Sequence, residues 1–399
     1  MKAILQARSR SVVGIIAICI VTVWSCSTGS NPEQSDEPLS LRWKVPADSS
    51  LQTTFSNTTP LIVDNTTVFF SGKRLERRSL EDGTLVWSHE YSEGGAFCSR
   101  NVLHVEDMIV FQTGVSLKAV HLSDGTIHNT VALSGYSPVA STILTYEEDR
   151  IFAGGINEFV VWNISSGDID RISLEPYASE QILPYVYQVI PDPDTDRLYV
   201  PYDWWDDDEG KSRGGIICLS NDNDMVWSIN MNPWTSDSSR QVDKGCYSGL
   251  IEDGHLFVNT RTSVLSINKS TGSIQWETDL LGGSMIYLEL AYYQGQLFAG
   301  DSQGKVYCFD RLSGSKLWQQ ELHYALTTSF SFAGNRVFIS TFAREEMWVL
   351  DIMNGELFWY SGDAEFMEHD LISPVGTGNG TCVVVGSQFS YCLNISDSW

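Results

Sequence analysis

Two neighbouring stretches carry side chains whose types and spacing could do chemistry. The first, Pro191–Val200, reads PDPDTDRLYV and puts carboxylates at alternate positions, Asp192, Asp194 and Asp196, with Asp203 at the twelfth place counted from Asp192. That is the ligand rhythm of a calcium loop, because Ca2+ takes about six to eight oxygens. Such a loop bends at a glycine where this chain has Arg197, and Pro191 and Pro193 stiffen it, so the three aspartates are weak metal candidates. The second stretch is Tyr202-Asp203-Trp204-Trp205-Asp206-Asp207-Asp208-Glu209-Gly210. Indole rings beside the carboxylates of Asp206, Asp207 and Asp208 suit a protein contact, a sugar platform or a cation. The same residues also suit a solvated loop whose rings fold back.

Other chemistry is thinly represented. The seven histidines (His89, His104, His121, His128, His255, His323, His369) have no close metal-ligand spacing, and there is no HExxH, GxSxG or P-loop element. Gly376–Gly380 is glycine-rich but precedes a strand pattern, whereas a phosphate cradle needs a helix N-terminus. Among the cysteines, Cys218, Cys308 and Cys392 recur in one register, where a small apolar side chain serves equally well. Cys382 and Cys392 sit symmetrically across a hairpin turn near Ser387, where a cross-strand disulfide is conceivable but not required. No catalytic residue set and no resident cofactor are expected from these residues.

The elements that would position such side chains repeat. Gly304–Trp318, GKVYCFDRLSGSKLW, reads as a strand, a tight turn at Gly314 and a second strand ending on a tryptophan. The turn glycine recurs at Gly83, Gly125, Gly167, Gly272, Gly314 and Gly355, with Asn223 in the one long gap; asparagine is the next-best residue for positive φ. Four places beyond the marker stands Trp87, Trp227, Trp276, Trp318 or Trp359, but Asn129 and Arg171 take that place in two units. A turn and a strand precede each hairpin, eight times in all, as in EDMIVF at 106 and GNRVFIS at 334. Units of about 42 residues with four short strands fit propeller blades. The last unit lacks its outer strand, and Leu41–Val45 with Trp43 supplies one at the other end. The expectation is an all-β chain: a single eight-bladed β-propeller over 41–399, its last blade closed by the N-terminal strand. Trp43, Trp87, Trp227, Trp276, Trp318 and Trp359 would wedge neighbouring blades, leaving blades 2 and 3 the weak sector.

The first 25 residues read as a lipoprotein signal: a basic head of Lys2, Arg8 and Arg10, then the apolar run Val12–Val23, then Val23-Trp24-Ser25-Cys26. The run is too short to span a bilayer, which takes about 20 residues, and it fits a signal core. Cys26 is the expected lipidation site. Residues 26–40 read as a polar, flexible tether. The formal charge of −25 repels nucleic acid and anionic bilayers, so membrane contact is expected only through the lipid.

With Asp310…Gly314…Trp318, Asn268…Gly272…Trp276 and Asp351…Gly355…Trp359, the unit resembles the PQQ-like (quinoprotein, tryptophan-docking) repeat. Joined to a lipoprotein signal, eight such repeats are similar to the BamB family of outer-membrane lipoproteins. The resemblance implies a monomeric, non-catalytic scaffold in the bacterial envelope, anchored at the outer membrane, whose partners are envelope proteins. Quinoprotein dehydrogenases share the blades and imply the alternative of an enzyme using PQQ and calcium in the central funnel. A surface propeller that binds glycans through Trp204 and Trp205 is the third reading.

Overall fold

The computed structural model describes residues 38–47, 58–91, 99–114, 116–133, 142–177, 184–206, 211–231, 245–280, 289–322, 326, 329–341, 346–368, 371 and 373–396. The signal segment, Cys26, the tether up to residue 37, Cys98, and Asp207 and Asp208 lie outside them.

Each turn marker forms the turn its residue type predicts. Gly83, Gly125, Gly167, Gly272, Gly314 and Gly355 have φ between 68° and 79°, and Asn223 has φ 64°. The six glycine N–H groups each donate to the carbonyl four residues back, as Gly314 does to Asp310 at 2.8 Å. The turns join strands into eight antiparallel sheets, all of them four-stranded except one of five. In chain order the blades span 61–90, 103–132, 145–173, 185–231, 246–279, 291–321, 331–360 and 376–395, the last with Leu39–Pro46 as its outer strand. The closing strand starts two residues before the expected boundary and pairs antiparallel with Phe389–Ile395, Trp43 opposite Cys392. The expected split blade is therefore present. The apolar clusters lie between successive blades: one joins Val110 and Leu117 of blade 2 to Ile151 and Trp162 of blade 3, another Phe298 and Trp318 of blade 6 to Val337 and Leu350 of blade 7.

Five of the six expected tryptophans join one blade to the next, and Trp359 packs, partly buried, against the apolar cluster between blades 7 and 8. Trp87 Nε1 donates to Leu122 O at 2.8 Å, Trp227 to Lys269 O at 3.2 Å, Trp276 to Arg311 O at 3.1 Å and Trp318 to Ile352 O at 2.8 Å. Trp43 does the same for blade 1, through Leu80 O at 3.0 Å, so one motif both repeats and closes the ring. Each of these rings lies on the next turn glycine: a Cβ on Gly125, Gly272, Gly314 or Gly355 would stand 2.8 Å or less from Trp87, Trp227, Trp276 or Trp318, and one on Gly83 3.0 Å from Trp43. Glycine is required there twice over, for its φ and for its missing side chain.

A β-bulge in the outer strand aims these rings. The pairing register slips just before the tryptophan in blades 1, 4, 5, 6, 7 and 8 and before Asn129 in blade 2. Blade 3 has no slip: Val160 pairs Arg171 and Val161 pairs Asp170. Without the extra residue the side-chain alternation reverses. Arg171 therefore does not occupy a tryptophan place, as its spacing implies. It faces back to blade 2, donating Nη2 to Ala132 O, and pairs with Glu158 at 2.9 Å.

The cysteine expectations divide. Cys218, Cys308 and Cys392 are fully buried opposite Trp227, Trp318 and Trp43, the small apolar role expected of them. Burial pushes each of their thiols up to about 12, so they are inert near neutrality. The disulfide does not form. Cys382 lies opposite Leu393, and Cys392 opposite Val383, so the two thiols point to opposite faces of the sheet and enter different apolar clusters.

Candidate axial and hairpin site

The weak metal candidates Asp192 and Asp194 belong to an ion-paired latch. Asp192 is fully buried and its carboxylate is filled from within the protein: Thr195 Oγ1 donates at 2.6 Å, Tyr199 Oη at 3.1 Å and Lys269 Nζ at 2.9 Å. Lys269 Nζ also reaches Asp194 at 2.8 Å, so the ammonium of blade 5 sits where the two carboxylates converge. Asp196 does not join them; it takes the left-handed turn position with φ 54°. Lys269 belongs to the turn whose carbonyl also accepts Trp227 and Tyr199, at 3.2 and 3.0 Å. Its cation thus replaces a metal in clamping blade 4 to blade 5.

The described part of the acidic insert, up to Asp206, lies in a strand. Arg197–Asp206 pairs with Lys211–Leu219 along its full length, ending with Trp204 opposite Arg213, Trp205 opposite Ser212 and Asp206 opposite Lys211. The corresponding strands of blade 1, Thr66–Ser71 and Arg74–Ser79, have six residues each, so blade 4 carries a longer hairpin. The Arg213 guanidinium lies 5.6 Å from the Trp204 ring centroid, a cation–π contact. Asp203 at the hairpin base is buried. The hairpin lies against blade 5 because Gly214 has no side chain; a Cβ there would meet the Cys246 N at 2.8 Å.

Asp203 leads into a polar cluster that spacing did not reveal. The segments that lead into the inner strands follow one another round the axis: Thr59 N donates to Arg100 O, Arg100 N to Thr142 O and Ile143 N to Tyr187 O, at 2.9, 2.9 and 2.8 Å. Thr59 and Ser329 hydroxyls, from blades 1 and 7, meet at 2.6 Å. On this inner rim the Arg100 guanidinium feels Glu289 of blade 6, Tyr187 of blade 4 and Tyr247 of blade 5. Blades 2 and 6 are four apart in a ring of eight, and Arg100 and Glu289 still act on each other electrostatically. The Tyr187 and Tyr247 rings lie 5.2 Å apart, and Arg261 donates Nε to Tyr247 Oη. Glu289 Oε1 is buried without a hydrogen-bond partner among the described residues. Burial raises its carboxyl to about 7, against the pull of Arg100. Burial also raises the Tyr247 phenol, with the Asp203 charge adding to it. The only advance sign of this cluster is a charged residue at the head of an otherwise apolar inner strand.

A PQQ–calcium centre needs a slot on the axis for a flat tricarboxylate and a set of oxygen ligands beside it. Here Arg100 lies within electrostatic reach of Glu289, Tyr187 and Tyr247, and no three of His, Cys, Asp and Glu gather as a metal set among the described residues.

Comparison with known proteins agrees with the ring. A comparison with curated protein sequences finds no match. Among solved structures, BamB from Moraxella catarrhalis superposes with a TM-score of 0.61 at 14% identity, covering 90% of this chain and 98% of that one. A europium-containing methanol dehydrogenase gives 0.67 at 11%, covering 89% and 93%. The quinohemoprotein alcohol dehydrogenase ADHIIG from Pseudomonas putida HK5 gives 0.65 at 12%, covering 90% and 76%. At these identities the likeness is one of fold. The family model described as "Outer membrane protein assembly factor BamB" matches residues 36–223 and 286–388, well over half of the sequence. The chain therefore belongs to the family of outer membrane protein assembly factor BamB.

Proposed function

We propose that the protein is a lipid-anchored, non-catalytic propeller scaffold that binds proteins in the bacterial envelope and serves the assembly of outer-membrane β-barrels. The observation that carries this reading is the family match over both halves of the ring. Consistent with it, Arg100 of blade 2 lies within electrostatic reach of Glu289, Tyr187 and Tyr247, with no metal-ligand set among the described residues. Recognition then falls to the outer surfaces, among them the long blade 4 hairpin with Trp204, Trp205 and Asp206–Asp208. Cys26 is the proposed anchor and the outer membrane the proposed location.

Affinity capture from detergent-solubilised envelopes, with the full chain as bait, tests the reading. Recovery of the β-barrel assembly machinery supports it. Loss of palmitate labelling and of membrane association in Cys26→Ala tests the anchor separately. Stoichiometric uptake of PQQ and Ca2+ with dye-linked alcohol or sugar oxidation would replace the scaffold by a quinoprotein dehydrogenase.

A further inference from the structure

Five junctions of the ring share one device: an indole from one blade lies on the turn of the next and donates to the carbonyl three residues before the turn marker. The acceptors are Leu80, Leu122, Lys269, Arg311 and Ile352. The junction from blade 2 to blade 3 has the receiving half only. Gly167 holds the same left-handed turn, φ 79°, and a Cβ built on it meets nothing within 4 Å among the described residues, whereas the turn glycines of blades 1, 2, 5, 6 and 7 all meet a tryptophan ring at 3.1 Å or less. Ile164 O, the carbonyl equivalent to the five acceptors, takes no hydrogen bond among the described residues. Asn129 stands where the donor ring would be; its side chain turns to its own strand, Oδ1 accepting from Thr130 N at 2.7 Å.

The interior of this junction is nevertheless packed. Trp162, on the third strand of blade 3, faces blade 2 and is fully buried among Val105, Val110, Leu117 and Ala119. The shelf is therefore open only at its outer, turn end, and the ring stays closed without a ligand in it. Exposed carboxylates surround that end: Asp168 and Asp170 beside the marker, and Glu148 next to Asp149, whose carbonyl accepts the Ile164 N–H at 3.0 Å. The nearby arginines are engaged, Arg150 with Glu147 and Arg171 with Glu158.

We propose that the Gly167 turn is a docking shelf for a tryptophan presented by a partner polypeptide with lysine or arginine on either side of it. The indole lies on Gly167 and donates Nε1 to Ile164 O, as the chain's own tryptophans do at five other junctions, while the flanking cations meet Asp168, Asp170 and Glu148. The charge of the shelf selects a basic partner segment; its shape selects the ring. This deepens the scaffold reading and rests on it for its use in the cell, but the shelf can be tested without it.

The test uses the mature full-length protein labelled with 15N-glycine and titrated with blocked Lys-Trp-Lys and Lys-Ala-Lys tripeptides. Lys-Trp-Lys is expected to move the Gly167 amide saturably, and Lys-Ala-Lys to bind at least tenfold more weakly. Asn129→Trp is expected to fill the shelf from within, raising Tm and weakening Lys-Trp-Lys at least tenfold. Asp168→Lys, which needs no new packing, is expected to weaken it at least threefold. A Gly167 amide that Lys-Trp-Lys leaves unmoved, or equal affinity for wild type and a folded Asn129→Trp, overturns the proposal. If Asn129→Trp does not fold, the wild-type titration and Asp168→Lys decide. Failure here leaves the scaffold reading to the capture experiment, and failure of the capture leaves a bound tripeptide standing.

Discussion

The junction between blades 6 and 7 and the junction between blades 2 and 3 solve one problem in two ways. At the first, Trp318 comes from the bulged outer strand of blade 6, covers Gly355 and donates to Ile352 O at 2.8 Å. At the second, the outer strand of blade 2 has the bulge but offers Asn129, and the indole comes from the opposite side, from Trp162 of blade 3. Trp162 fills the apolar interior and leaves its Nε1 buried without a partner among the described residues. Trp318 fills the interior and seals the turn as well. An interior indole is thus interchangeable between blades, whereas the seal over the turn belongs to the bulged outer strand.

The largest effect that sharpens this contrast is Trp318→Ala. It removes a buried ring, its hydrogen bond and the cover of Gly355, and should cost about 3–5 kcal/mol in denaturant unfolding. The same substitution at Asn129 should change stability by less than about 0.5 kcal/mol, since no partner on blade 3 is lost. Equal losses would dissolve the comparison.

The turn glycines give a finer test. Gly355→Ala and Gly167→Ala both force a left-handed φ on a side chain, a strain of about 1–2 kcal/mol. Only the first also drives a Cβ to 2.5 Å from Trp318. Gly355→Ala should therefore cost about 3 kcal/mol and Gly167→Ala about 1 kcal/mol, measured by unfolding midpoints at constant m.

The axis adds a pH dependence shared by the ring as a whole. The Glu289 carboxyl is raised from 4.5 in the unfolded chain to about 7 in the folded one, by burial, with Arg100 opposing. Between those values the folded protein binds more protons than the unfolded, so this group's share of stability declines as pH climbs from about 4.5 to 7. The decline is on the order of 3 kcal/mol. Glu289→Gln cannot titrate and should flatten that part of the Tm–pH curve; an unchanged slope would place its origin elsewhere.

What could be read from the chain beforehand follows from locality. A turn glycine and a tryptophan four places on lie within one hairpin, so their recurrence exposed the blade number and the split eighth blade, and Asn223 could be assigned its turn from its tolerance of positive φ. The bulge depends on how an outer strand pairs with its neighbour, which residue types do not announce; spacing therefore aligns Arg171 with the tryptophans although it faces the other way. The aspartates at 192 and 194 have a calcium rhythm, but what fills them is Lys269, 77 residues from Asp192. Arg100, Tyr187, Tyr247 and Glu289 come from four blades and reach one another electrostatically only because the ring closes, so no spacing could join them. Cys382 and Cys392 show the limit within one hairpin: symmetry about the turn was visible, and the single-residue register that separates the two thiols was not.

The smallest predicted effect is dynamic. Sequence alone makes blades 2 and 3 the weak sector, because both lack an outer tryptophan, and predicts fast exchange throughout both. Trp162 changes the scope of that prediction. The inner strands at this junction, Met108–Thr113 and Arg150–Gly154, are buried in an intact interior and should exchange as slowly as the inner strands of blade 7. The turn from Ile164 to Gly167 and the outer strand Ile127–Ala132 lack the covering indole and should open more readily, by a few-fold in rate, than Ile352–Gly355 and Lys316–Glu321. Amide exchange read by mass spectrometry at peptide resolution separates the two patterns. Fast exchange in Met108–Thr113 would mean that an interior indole from blade 3 does not replace one from blade 2; protection of the Gly167 turn equal to that of the Gly355 turn would mean that the seal contributes nothing to local order.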